Sequence, residues 1–339
     1  MAEAKLVSAT KRFGRITAVD DVSLTVADGE FLVLLGPTGA GKTTTLRLLA
    51  GLEKPDQGQV EIDSDDVTSL PPAVRDVAFV FQQYSLYPHY SVFDNLAFPL
   101  KAPGRQFSKD EIKQRVGEVA EMLRIAHKLD NLATQLSGGE MQRVSLGRAL
   151  VREPTLFLMD EPLSSLDAKL REELRLELKR IQRDLGATIV FVIHDQLEAM
   201  TLADRIGVLR EGRLVQTGTP QEVYQRPSSV YAAQRLGSPP INLLDIGTMG
   251  LPQPPAGAMR AGVRPEDVEV AAADGPEAQV LAVERLGVET VALLDLNGQQ
   301  VRALLDAHVG LSEGATTKVA FRAMDPIWFD GADHRIANV

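Results

Sequence analysis

The residues that most plainly carry chemistry are a continuous run, Gly36-Pro37-Thr38-Gly39-Ala40-Gly41-Lys42-Thr43-Thr44. The run fits G-x-x-x-x-G-K-[ST] at every fixed position, the pattern of a loop that cradles a polyphosphate. Gly36, Gly39 and Gly41 let the backbone bend so that successive N–H groups face phosphate oxygens. The positive end of a following helix favours the same anion. Lys42 suits the β- and γ-phosphates, and Thr43 offers a hydroxyl to Mg²⁺. A second set lies far downstream. The apolar run Thr155–Met159 ends in Asp160-Glu161, placing two carboxylates where ligands sit in α/β sheets, at the C-terminal end of a buried strand. Asp160 suits Mg²⁺ held through water, and Glu161 suits polarising a water for in-line attack on a γ-phosphate. Acidic residues after a strand are common, and it is the phosphate loop that gives this pair its meaning. A third apolar run, Thr188–Ile193, ends at His194, which is either a γ-phosphate sensor or a structural histidine. Phe13 either stacks on a nucleotide base or is an ordinary exposed or core phenylalanine.

The elements that must position these residues are legible as apolar patterns. Phe31–Leu35 reads as a buried strand entering the loop, and Thr45–Ala50 as the helix leaving it. Strands are expected at 4–10, with a turn over Lys11–Gly14, and at 22–26, 59–63 and 77–81, the last ending at Gln82. From about 83 to 136 the character changes. Tyr84, Tyr87, Pro88, His89, Tyr90 and Phe93 form an aromatic stretch that reads equally as core or as a docking surface. Helices follow, Lys109–Leu123 being the clearest, and another is expected over Ser137–Arg152. Asp167–Leu185 reads as an amphipathic helix whose charges form a solvated face. Ile206–Arg210 and Arg213–Gln216 flank Glu211-Gly212 as a hairpin, and Pro220–Gln234 reads as short helices. Proline-rich stretches at 237–240 and 252–255 mark a linker region. Beyond it, short strands at 279–285, 290–296, 300–305 and 317–322, with Asn297-Gly298 as a hairpin turn, predict a small β-barrel without a catalytic constellation.

Composition bounds the function. A chain of 339 residues has room for two domains. No apolar stretch approaches the ~20 residues of a membrane span, and Met1–Lys5 is not followed by the apolar region of a secretory leader. The absence of cysteine excludes disulfides, thiol chemistry and Cys-ligated zinc. A net charge of −10 without a basic run argues against a general nucleic-acid binder. The chain reads as soluble and intracellular, reaching a membrane only through a partner.

Between the phosphate loop and the Asp160-Glu161 strand lies Leu136-Ser137-Gly138-Gly139-Glu140-Met141-Gln142-Arg143, which resembles the signature motif of ABC-type ATPases, in that family's order. The resemblance runs over residues 4–236. It implies an α/β P-loop ABC ATPase domain over 1–236, with a RecA-like core, an antiparallel β subdomain and a helical subdomain at about 84–152, followed by a C-terminal small β-barrel regulatory domain over 237–339. It also implies roles. Phe13 becomes the base-stacking aromatic. Gln82 touches Mg²⁺ beside Thr43 and Asp160 and relays to a membrane partner. Ser164-Ser165-Leu166-Asp167 becomes the D-loop and His194-Asp195 the H-loop. Lys42, Gln82, Glu161 and His194 form the expected catalytic set, with ATP and Mg²⁺ as cofactors. In such a family two ATPase subunits, identical or paralogous, pair head to tail. ATP is then sandwiched between one phosphate loop and the partner's Ser137, Gly138 and Gly139, with Asp167 nearby.

The finer resemblance is to the ATP-binding subunits of carbohydrate importers of the maltose type, carried by Gln82–His89, His194–Met200 and, in the tail, Gly262–Glu266. It implies two membrane permease subunits seated near Gln82 and residues 84–93, a site on the cytoplasmic face of the membrane, an extracytoplasmic solute-binding protein acting indirectly, and a sugar, polyol or related solute. The alternatives are an importer of polyamines or inorganic ions, or a soluble ABC ATPase acting on DNA or ribosomes, for which a coiled-coil insertion or basic patch is expected and neither is present. The sequence also departs from the resemblance. Glu140 stands where the motif usually has Gln, and Asn131 and Ala133 stand where Arg and Pro are usual. A lost cation and an added carboxylate are expected to weaken this half of the nucleotide site, which is either tolerated or reflects pairing with a different ATPase subunit.

Overall fold

Continuous apolar runs become strands buried on both faces, as a parallel sheet between layers requires. In the computed structural model, which describes residues 2–102, 104–322 and 326–336, the elements follow in this order. Strands β1 (Ala4–Phe13), β2 (Ile16–Val26) and β3 (Phe31–Leu35) precede helix α1 (Lys42–Ala50). Then come β4 (Gln57–Ile62), β5 (Asp65–Asp66) and β6 (Val77–Val80). Helices α2 (Val92–Ala97), α3 (Lys109–Met122) and α4 (Gly138–Leu150) lead to β7 (Leu156–Asp160). The first unit closes with α5 (Ala168–Leu185), β8 (Thr188–Ile193), α6 (Gln196–Leu202), β9 (Arg205–Arg210) and β10 (Arg213–Gly218).

Two sheets build this unit. One is antiparallel, in the order β2-β1-β4-β5; the other has the order β10-β9-β3-β8-β7-β6. In the second sheet β9, β3, β8, β7 and β6 run parallel, and only β10 is antiparallel. Every residue of β3, β7 and β8 is buried. Helix α5 buries Leu174, Leu178 and Ile181, spaced at four and three residues along one face; Asp167 caps its start and Gly186, in the left-handed conformation, ends it. Its charges are not all solvated, because Glu177 pairs with Arg143 at 2.5 Å with both side chains nearly buried. Strand β1 also runs further than expected. It continues through Phe13, paired with Ile16, and turns at Gly14, because pairing with β2 extends the ladder to the tip.

Chain packing divides Met1–Pro220 from Gln221–Val339, earlier than the sequence-based boundary after 236. Helices α7 (Pro220–Gln225) and α8 (Val230–Arg235) lie at the start of the second unit. There the buried Arg264 guanidinium donates to the carbonyls of Tyr224, Ala233 and Leu236 and so binds the short helices to the strands. The strands are β11 (Asn242–Asp245), β12 (Arg260–Val263), β13 (Val268–Val270), β14 (Glu277–Arg285), β15 (Glu289–Leu296), β16 (Gln299–Asp306), β17 (Thr316–Phe321) and β18 (Ile327–Phe329). They form sheets β11-β12-β18 and β13-β17-β14-β15-β16 around one apolar core, a small β-barrel. The Asn297-Gly298 turn joins β15 to β16 with both residues at positive φ. Among the described residues, no helix is long and apolar enough to cross a membrane.

Candidate functional site

Strand register assembles the site. Leu35 lies level with Ile193, Asp160 with Val192, and Val80 with Met159. The phosphate loop, His194, Glu161 and the segment leading to Gln82 therefore leave the sheet together at its C-terminal edge, although they are far apart in sequence.

The two ends of the loop have little steric freedom. A Cβ on Gly36 would lie 2.5 Å from the Leu209 carbonyl oxygen, and one on Gly41 (φ 98°) would meet the Ala18 carbonyl oxygen. Gly41 caps α1 without a side-chain hydrogen bond, so the first-turn N–H groups of the helix keep their pull on an anion. The Lys42 ammonium donates to the carbonyls of Gly36 and Pro37 at 2.8 and 3.0 Å and lies 3.3 Å from His194 Nδ1. Burial pushes its pKa down, against the opposing pull of Glu161 and Asp160. The Thr43 hydroxyl donates to Asp160 Oδ1 at 2.9 Å. Burial pushes the Asp160 carboxyl up, and the Thr43 hydrogen bond pulls it back.

Glu161 is held between two donors. His194 Nε2 lies 2.5 Å from Oε1, and Gln82 Nε2 donates to Oε2 at 3.4 Å. The other ring nitrogen, Nδ1, is 3.1 Å from the Gly36 carbonyl oxygen. A neutral ring thus donates to Glu161 and accepts from Lys42; a protonated ring donates to both Glu161 and Gly36. Glu161 has φ 47°, a left-handed conformation for a residue with a side chain, which costs about 1–3 kcal/mol and places strain at the centre of the cluster.

The structure thus links Lys42, His194, Glu161 and Gln82 into one contact chain around Gly36, with the Thr43–Asp160 pair next to it in the chain. Ala40 is buried beneath the loop, whereas Pro37, Thr38 and Gly39 are exposed at its tip and Thr44 is half-buried on the first turn of α1. Other expected site residues stand apart. The Phe13 ring is 44% exposed at the end of β1, so it is not a core residue, and the Lys11 ammonium lies 5.2 Å from its centroid. Ser137 caps α4. Among the described residues, no hydrogen bond or ion pair links Ser137, Gly138 or Gly139 to the phosphate-loop cluster. A Cβ on Gly139 would run into the Leu170 side chain. The Asp167 carboxylate accepts the Leu170 N–H at 3.0 Å as the cap of α5.

The sequence reading missed Arg171. Its guanidinium donates to the carbonyls of Leu163 and Leu166 and faces the buried Glu198 at 3.6 Å, tying the 163–167 loop to the helix after His194. The aromatic stretch is partly exposed: Tyr84, Tyr87 and Phe93 are half-buried, and Pro88, His89 and Tyr90 are exposed. Tyr87 packs on Phe98 and Tyr90 with centroids 4.5 and 5.2 Å away, and the Arg148 guanidinium lies 4.7 Å from the Tyr87 centroid. A cleft of about 220 Å³ lies alongside, walled by Phe79, Phe81, Tyr84, Phe98, Arg148 and Arg152.

Known proteins match both units. Residues 19–164 match the family described as ABC transporter, and residues 261–329 match the TOBE domain. The trehalose/maltose import ATP-binding protein of Thermococcus litoralis is 45% identical, over 95% of each chain. The sn-glycerol-3-phosphate import ATP-binding protein of Cupriavidus necator is 45% identical, over 93% of each. Among solved structures, a bacterial ABC transporter cassette captured as a dimer aligns with a TM-score of 0.59 at 33% identity, over 64% of this chain and 98% of the other. With a phosphate loop, two carboxylates and a histidine gathered at one sheet edge, and with relatives matched almost end to end, this chain belongs to the ABC transporter family, as an ATPase of the kind that serves importers as their ATP-binding subunit.

Proposed function

We propose that this chain pairs head to tail with a second ATPase subunit, a copy or a paralogue, over two ATP molecules. Closure of the pair drives partner permeases to import a sugar, polyol or related small solute. The observation that carries the reading is the Glu161 carboxylate, held 2.5 Å from His194 Nε2 beside the buried Lys42. Glu161 polarises the attacking water, with His194 and Gln82 fixing its orientation. His194 reports the γ-phosphate to Glu161, because one ring touches both the carboxylate and the loop. Lys42 turns from the Gly36 and Pro37 carbonyls to the β- and γ-phosphates and offsets their charge. Thr43 and Asp160 offer hard oxygen donors that fit Mg²⁺, with Gln82 completing the set. When bound, that ion supplies positive charge to the transferring phosphate. Phe13 stacks on the base, and Ser137, Gly138 and Gly139 with Asp167 complete the partner's site through the N-terminus of α4.

The relatives' printed substrates, trehalose or maltose and sn-glycerol-3-phosphate, support the solute class. The aromatic-walled cleft near Gln82 supports a permease seat at the cytoplasmic face of the membrane, with an extracytoplasmic solute-binding protein acting through the permeases. Residues 1–236 then serve as the cassette and 237–339 as the regulatory domain, a division of function rather than of packing. The test is Glu161→Gln. It should bind ATP and lose about 10²–10⁴-fold in turnover, the usual worth of a general base. Hydrolysis near the parent rate would sink the assignment.

A further inference from the structure

The N-terminus of α4 carries a carboxylate where an incoming polyphosphate would be expected to meet only donors. Glu140 Oε2 accepts the Ser137 backbone N–H at 2.8 Å and the Ser137 hydroxyl at 2.9 Å. In return Ser137 Oγ accepts the Glu140 N–H at 3.4 Å, closing a capping box. This arrangement has two costs for anion binding. A full negative charge sits within the first turn, against the roughly half charge of a helix N-terminus. The hydroxyl proton of Ser137, the donor a phosphate oxygen would take, is already directed at Glu140.

A cation answers the first. The Lys128 ammonium lies 3.1 Å from the other carboxylate oxygen, Glu140 Oε1, and both side chains are about a quarter exposed. Lys128 closes the short helical turn 126–128, and its carbonyl accepts the Asn131 N–H at 2.9 Å, so the segment that presents it is itself hydrogen-bonded. The Ser137 hydrogen bonds and Lys128 together hold the Glu140 carboxyl below the usual range, so it is an anion whenever the protein is near neutral pH.

We propose that Lys128 is a positioning residue of this half-site. By neutralising Glu140, it preserves the attraction of the Ser137 end of α4 for the triphosphate held by the partner subunit. The inference rests on the head-to-tail reading above. It changes the meaning of Glu140: the charge of the carboxylate opposes the half-site in full only when Lys128 is absent.

The experiment uses the full chain with Glu161→Gln as the parent, and reads Mg-ATP-dependent self-association by light scattering and ATP binding to the monomer by calorimetry. Lys128→Ala should raise the ATP concentration for half-maximal dimerisation about tenfold, equivalent to ~1.4 kcal/mol, with monomer affinity unchanged. Adding Glu140→Gln to Lys128→Ala should restore dimerisation to within about twofold of the parent, and Lys128→Arg should behave as the parent. A Lys128→Ala defect of the same size in the Glu140→Gln background would overturn the proposal, as would no defect, or a defect shared by monomer binding, which marks a folding effect. If the parent binds ATP and stays monomeric, self-pairing itself fails and takes this inference with it, a result distinct from a failure of Lys128 alone.

Discussion

Two regions of one unit offer themselves to a nucleotide, and they are built on opposite plans. The phosphate-loop cluster is a long-range construction. Thr43 meets Asp160, Glu161 meets His194, and Lys42 lies beside His194, all brought together by parallel strands in fixed register. The Ser137 region is local, a helix terminus whose contacts with Glu140 and Lys128 come from within a dozen residues. The first rests on buried anchors, Gly36, Lys42 and Asp160, with Gln82, His194 and the loop tip exposed above them; the second is half-exposed and depends on charge balance. A site made by register tolerates little change of shape and keeps its geometry without its ligand. A site made by one helix end tolerates sequence change, provided that its electrostatics are kept.

That contrast can be broken in order of expected effect. Gly41→Ala should be the most damaging, because its Cβ would meet the Ala18 carbonyl at a positive φ. Monomer affinity for ATP should fall about a hundredfold, near 2.7 kcal/mol, by calorimetry; unchanged affinity would show that the loop is softer than its packing. Asp160→Asn should come next, and it should stabilise. The folded-state pKa of Asp160 is raised, so its ionisation opposes folding as pH rises through that value, whereas below the unfolded carboxylate range the group is neutral in both states. The variant should therefore gain about 1–2 kcal/mol at neutral pH, a gain that fades in acid, measured by denaturant melts across pH. A gain that persists undiminished at acid pH would locate the effect elsewhere. Ser137→Ala should cost about 1 kcal/mol through the lost cap and weaken ATP-driven pairing, leaving monomer ATP affinity unchanged. A fall in that affinity would mean that the two regions are not independent.

The sequence made the first plan legible and the second only in part. Fixed glycines before Lys42, and apolar runs ending in Asp160-Glu161 and His194, mark positions that must leave a sheet at its C-terminal edge, and strand order β3-β8-β7 places them side by side. The barrel is legible from β14–β17, each six or more residues long, whereas β11, β12, β13 and β18 are three or four residues long and too short to show a period. Arg171 and Glu177 were lost in a charge-rich helix, since a pattern of charges does not say which ones are packed. The departure at Glu140 was visible, but its partner was not. Lys128 sits on a short turn whose path depends on how 126–136 folds back, and no periodicity encodes that.

The order of strands in the parallel sheet has a consequence for synthesis. Strand β3 is made early, and both of its neighbours, β8 and β9, are made late. The Gly36–His194 contact closes a span of 158 residues, which a ribosome extends in roughly 8–30 seconds. For most of that interval the nascent chain carries a fully apolar strand with neither neighbour yet made, and a phosphate loop whose carboxylates, Asp160 and Glu161, and imidazole, His194, come only near its end. Competence to hydrolyse ATP therefore arrives late in translation, and β3 needs shielding until then.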